Sequence, residues 1–112
     1  MIKSKKLSRF KNIKHAFFNR LGGKSKGIYR SLNCGLGSYD NKSDVLKNIS
    51  IVGKKIESSS KKLFLLNQIH SNKFYFISKK SKINKNRFNA DALITNKKDT
   101  PIGILTADCA PI

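Results

Sequence analysis

A cysteine and a histidine are the side chains of this chain best suited to chemistry. Cys109 lies in Thr106-Ala107-Asp108-Cys109-Ala110-Pro111, and His70 ends the apolar run Leu63-Phe64-Leu65-Leu66-Asn67-Gln68-Ile69-His70. Thiolate and imidazole are donors that zinc favours, and a neighbouring metal would keep the cysteine ionised at neutral pH. Catalytic zinc usually takes about three protein ligands and a water. His70 and Cys109 are one short of that set, so the chain is expected to be part of a longer protein.

Other candidates surround this pair. Alternation along a strand turns Gln68 and His70 to the same face, where an amide and an imidazole serve one site. Arg20, with the backbone N–H groups around Gly22 and Gly23, forms a candidate anion cradle, although a solvated turn explains the same residues. Gly23-Lys24-Ser25 imitates the end of a phosphate-binding loop, but Phe18 stands where the first glycine of that loop belongs. His15 reads as a residue packed at an edge or in the core, and Cys34 as structural.

The elements that must position these groups are short. Ile13 to Phe18 reads as a strand, followed by a loop rich in glycine and charge, an extended piece from Ile28 to Leu32, and a second loop at Cys34-Gly35-Leu36-Gly37. Val45, Ile49, Val52 and Ile56 recur at helical spacing and predict a helix from about Ser43 to Ile56. Ser43 or Asn41 would cap it, with Asp44 at its positive end, Lys54 and Lys55 at its negative end, and Ser58-Ser59-Ser60 breaking it. Strands are predicted at Leu63 to His70, Phe74 to Ile77, Ala92 to Thr95 and Ile102 to Thr106, the first of them buried inside a sheet. A basic loop, Lys79 to Arg87, separates the second from the third. The fold class is therefore α/β (α+β), mixed β-sheet flanked by helix, with the last strand delivering Cys109.

The 112 residues carry 24 Lys and Arg against 6 Asp and Glu, a formal charge of +18. Such a surface attracts phosphates, yet the lysines are spread along the whole chain and no aromatic RNA-binding signature accompanies them. A composition rich in Lys, Asn and Ile explains the charge more simply, which weighs against a nucleic-acid partner. A basic nucleic-acid-binding module is kept as the alternative of another class. No run approaches the roughly 18 apolar residues of a membrane span, and no apolar segment follows the basic N-terminus. A cytoplasmic protein with reduced thiols, without a membrane partner, is expected.

Read in order, the motifs resemble one family, the laccase-domain (YfiH-like) purine nucleoside phosphorylases, formerly called polyphenol oxidases. His15 to Ser25 is similar to an H-G-F-x-x-R-x-G-G-x-S opening, and Gly27 to Gly35 to G-x-Y-x-S-L-N-x-G. Asp44 to Asn48 resembles a helix start and Gln68-Ile69-His70 resembles Q-V-H. Ala90 to Thr95 is similar to A-D-A-L-V-T and Thr106 to Pro111 to T-A-D-C-x-P. Ala16, Lys24 and Ile49 depart from the usual glycine, apolar residue and arginine.

The resemblance implies a layered fold of which residues 1–112 are the N-terminal part, with His70 and Cys109 as two catalytic zinc ligands and a third histidine beyond them. It implies full-length members roughly twice this length, and a parent enzyme that splits adenosine, inosine, guanosine or methylthioadenosine with phosphate into base and ribose 1-phosphate. Adenosine deamination is a further activity that the resemblance leaves open, and the piece alone is expected to be inactive. Arg20, Gly22, Gly23 and Gln68 would bind substrate or phosphate, and a monomer is favoured. Copper in place of zinc, with phenol oxidation, and editing of peptidoglycan precursors are the alternatives the family leaves open.

Overall fold

The structure is a computed structural model that describes residues 1–56, 62–78, 81 and 87–107. The chain divides into two compact units, Met1–Lys62 and Leu63–Ile112.

The first unit is built around one helix, α1 (Lys42–Ile56). Asn41 caps it: its Oδ1 accepts the Ser43 N–H at 2.9 Å, and its carbonyl accepts the N–H groups of Asp44 and Val45. The apolar stripe faces inward as its spacing predicts, with Val45 1% exposed and Ile49 and Val52 also buried; Leu32 is buried in the same unit. Asp44 in the first turn and Lys54 and Lys55 in the last complement the helix dipole.

Two sequence expectations fail in this unit. Ile13 to Phe18 is not a strand: only Phe17 pairs, in a single antiparallel bridge to Ile2 with both N–H to carbonyl bonds at 2.8 Å. His15 instead turns its Nε2 to the Ser4 N–H at 2.8 Å, so a side chain takes a bond that a strand partner would have made. Ile28 to Leu32 is not extended but begins in a 3₁₀ turn, Gly27–Tyr29, and Ile28 is among the most exposed apolar residues.

In the second unit β1 (Phe64–Leu65) pairs with β4 (Ile102–Gly103), and β2 (Phe74–Ile77) with β3 (Ala92–Thr95). Both pairs are parallel, with Phe64 beside Ile102 and Phe74 beside Ala92. A third parallel contact, Asn67 to Asn89, connects the two pairs. Phe64 donates its N–H to Pro101, and Asn67 donates to Phe88. Strand alternation turns these two N–H groups to opposite edges, so the segment 64–67 has neighbours on both sides, as its apolar pattern suggests.

Leu63, Leu65, Leu66, Ile77 and Ala90 form the core of this unit. Gly103 lets β4 approach closely, since a Cβ there would lie 3.0 Å from Leu65 Cδ2. Phe64, Tyr75 and Phe88 form a stack, with Tyr75 and Phe88 ring centres 3.9 Å apart and 13° from parallel. The described strands are short: β2 and β3 match their predicted bounds, while β1 and β4 are two residues each. The class is α/β, with both senses of pairing present. The predicted serine break after α1 and most of the basic loop lie outside the described residues.

Candidate functional site

The motif residues of the first unit converge on Asn48, a polar residue in the buried stripe of α1 and 0% exposed. Its Nδ2 donates to Ser25 Oγ at 2.8 Å, the Ser31 carbonyl at 3.1 Å and the Asn33 carbonyl at 2.8 Å. Its Oδ1 accepts the Lys24 N–H at 2.7 Å. The opposite amide orientation would set oxygen against two carbonyls, so the surroundings fix it. One side chain thus ties both glycine-rich loops to the helix.

Gly23 fits beside this hub because it has no side chain. A Cβ would collide with the Ser31 carbonyl and lie 2.6 Å from Asn48 Oδ1. The Gly23 N–H is itself given to Ser31 Oγ at 3.1 Å. Arg20 donates its Nε to the Arg30 carbonyl at 3.0 Å, while its own carbonyl accepts the N–H groups of Ser31 and Leu32. Of the anticipated anion cradle, Gly23 N–H is therefore engaged within the fold, while Arg20 and Gly22 are exposed. Gly22 adopts φ 92°, where glycine is favoured.

Asp40 closes this loop system. It accepts from Asn33 Nδ2 at 3.0 Å and from its neighbour Asn41 N–H at 2.8 Å. A hydrogen bond from Ser25 above all, with those from Asn33 and Asn41, holds its carboxyl below the ordinary value against an opposing effect of burial.

The second unit positions His70 by a different device. His70 is exposed and has φ 57°, in the left-handed region that is uncommon for residues other than glycine. Asp91, immediately before β3, holds that turn. Its Oδ1 accepts the N–H groups of Ile69 at 3.0 Å and His70 at 2.9 Å. Its Oδ2 accepts the Ser71 N–H at 2.7 Å and Ser71 Oγ at 2.6 Å. These bonds, with Ser71 Oγ the largest cause, keep the Asp91 carboxyl below its ordinary range.

Gln68 faces another partner. Its Nε2 donates to the Leu105 carbonyl at 3.0 Å and its Oε1 accepts the Leu105 N–H at 2.9 Å. The amide thereby acts as an additional strand partner where the β1–β4 ladder has ended. Leu105 lies four positions before Cys109, which itself falls outside the described residues.

The strand alternation expected to turn Gln68 and His70 to one face does not hold, because β1 ends at Leu65 and His70 has a left-handed backbone, and the Gln68 amide is paired with Leu105; Arg20, Gly22 and Gly23 do share one loop system. Sequence reading missed Asn48 and Asp91 as organising residues: each stood inside a quoted motif, but only their partners reveal what they hold. Among the described residues no three His, Cys, Asp or Glu side chains cluster as a metal site. A cleft of about 310 Å³ in the first unit is lined by residues including Lys3, Phe10, Lys14, His15 and Lys55; neither His70 nor Arg20 lines it.

Comparison with known proteins agrees with the motif order. A purine nucleoside phosphorylase of Bacteroides thetaiotaomicron is 29% identical over 118 aligned residues, covering 100% of this chain and 44% of that protein. A purine nucleoside phosphorylase of Corynebacterium glutamicum is 30% identical over 100 residues, covering 89% of this chain and 41% of its own length. The purine nucleoside phosphorylase YlmD of Bacillus subtilis is 25% identical over 108 residues, 91% of this chain and 39% of its own. The chain spans less than half the length of these curated relatives. Residues 14–112, which contain every motif described above, match the family described as multi-copper polyphenol oxidoreductase laccase, and the chain belongs to that family.

Proposed function

We propose that this chain is the N-terminal part of a single laccase-type domain in an enzyme that cleaves purine nucleosides with phosphate, releasing the base and ribose 1-phosphate. The observation that carries this reading is the exposed His70 on a turn fixed by Asp91, in a chain whose relatives are named purine nucleoside phosphorylases. His70 and Cys109 are the residues of this chain that would hold a metal. The donor set suits zinc, and Asp91, through its bonds to the N–H groups of residues 69–71, holds the turn that carries the imidazole. Bound zinc would supply Lewis-acid polarisation to the site.

Arg20 is the group of the first loop that we assign to phosphate. Its charge is permanent and its Nε bond to Arg30 fixes the guanidinium plane. Preference among adenosine, inosine, guanosine and methylthioadenosine, and a side activity in adenosine deamination, belong to the same proposal. Copper-dependent phenol oxidation, which the family description suggests, is the weaker reading. The chain has two histidines, and His15 is committed to Ser4, so it offers few of the imidazoles that copper sites use.

The test is elemental analysis and a phosphate-dependent nucleoside assay on the protein extended to its natural stop codon, alongside His70→Ala and Cys109→Ala. About one zinc per chain, lost in both variants together with base release, is the expected result. Metal-free protein, or phosphorolysis unchanged in both variants, rejects the assignment. Oxidation of phenols without phosphorolysis would move it to the copper reading.

A further inference from the structure

We propose that Asp91 and Gln68 are positioning residues that set the geometry between His70 and the segment leading to Cys109; the metal-binding consequence rests on the function proposed above. The two act on opposite sides of one short stretch. Asp91 gathers three consecutive backbone N–H groups, those of Ile69, His70 and Ser71, around one carboxylate. An acceptor with two oxygens suits such a concave row of donors. It compensates the left-handed backbone of His70, which a non-glycine residue does not adopt readily.

Asp91 can serve as an anchor because it is itself anchored. Its N–H and that of Ala92 both bond to the Lys73 carbonyl, and β3 then pairs with β2 over four residues. The turn that presents His70 is therefore fastened to the start of a strand pair. Loss of either oxygen by Asp91→Asn would leave a donor facing N–H groups, whereas Asp91→Glu keeps the charge but displaces it by a methylene.

Gln68 fixes the second segment. The main chain leaves the β1–β4 ladder after Leu65 and Gly103. The Gln68 amide then pairs with both backbone groups of Leu105, which keeps residue 105 in register with residue 68. Two positions after Gln68 stands His70, and four after Leu105 stands Cys109. The register of the His70 turn against the segment that precedes Cys109 is thus set by a side chain that would otherwise be read as contacting substrate.

The experiment uses the protein extended to its natural stop codon and labelled with nitrogen-15, as wild type, Asp91→Asn, Asp91→Glu and Gln68→Ala. The first readout needs no metal: amide exchange at residues 69–71 and 105, and the amide-to-Hα coupling of His70, which reports its φ. Asp91→Asn is expected to speed exchange at 69–71 by about tenfold or more and to shift the His70 coupling, while Gln68→Ala does the same at Leu105 alone. The second readout is cobalt(II) titration followed by its visible absorption. Both variants are expected to bind about 10- to 100-fold more weakly than wild type.

Unchanged coupling and exchange in Asp91→Asn and Gln68→Ala would overturn the positioning roles. So would a disordered turn with unchanged cobalt affinity, or full recovery of affinity by Asp91→Glu without recovery of the turn, since charge alone would then suffice. Wild type that binds no cobalt would count against the metal reading, and the first readout would still decide whether these side chains hold their segments.

Discussion

Asn48 and Asp91 perform the same task in the two units by opposite means. Asn48 is a neutral amide, fully buried, which both donates and accepts; it meets two loop carbonyls, a hydroxyl and one N–H. Asp91 is half-buried and accepts only, meeting three N–H groups and a hydroxyl. An uncharged hub can sit in the core because its desolvation is offset by complete hydrogen bonding, whereas a carboxylate is better kept near water. The contrast separates the roles of the motifs. Those of the first unit mainly hold loops to a helix, and those of the second leave an exposed imidazole on a fixed turn.

The largest effect expected on the first side of this contrast is that of Gly23→Ala. The new methyl would meet backbone at Ser31 and Leu32, which cannot give way as a flexible side chain can. A loss of about 3 kcal/mol, or failure to fold, is expected in urea denaturation; a variant as stable as wild type would remove close packing as the reason for that glycine. Asn48→Ala should cost nearly as much, about 2–3 kcal/mol, because it strands buried groups of both loops. Leu66→Ala, in the core of the second unit, belongs to the same range at roughly 2–5 kcal/mol, and should leave the His70 turn in place. If instead it abolished exchange protection at residues 69–71, the turn would depend on the core and not chiefly on Asp91.

A smaller effect tests the charged member of the first network. The folded-state pKa of Asp40 is depressed below 3.8, chiefly by Ser25. Its ionised form therefore contributes stability that is present above that value and lost as pH falls through the lower folded one. Asp40→Asn should be less stable than wild type at neutral pH, and the difference should shrink on acidification below about 3.8. A difference that stays constant across the acid titration would show that the carboxylate's charge has no part in holding the loop.

The helix was legible because four apolar residues repeat at its period, and β2 and β3 because short apolar runs are bounded by polar turns. The same reasoning misplaced Ile13 to Phe18 and Ile28 to Leu32. Their β-branched and aromatic residues suit strands, but their neighbours are supplied by loops and side chains, as His15 with Ser4 illustrates. Asn48 escaped notice because an amide in an apolar stripe looks like a break in it. Only the loops that arrive from about 15 to 24 residues away turn it into a hub. Gln68 was legible as a residue of the His70 segment, yet its partner Leu105 is 37 positions distant, beyond the reach of any local pattern. Motif order identified the family, whereas the division of labour within the motifs required the contacts.

The stack of Phe64, Tyr75 and Phe88 also gives the protein an internal optical reporter. The chain has no tryptophan and three tyrosines, of which Tyr39 is fully exposed. Tyr75, held face to face with Phe88 and beside Phe64, should therefore dominate the near-ultraviolet circular dichroism. Because such signals vanish when side chains lose fixed packing while helix and strand content persists, this spectrum would follow the ordering of the second unit without a label, a metal or a substrate.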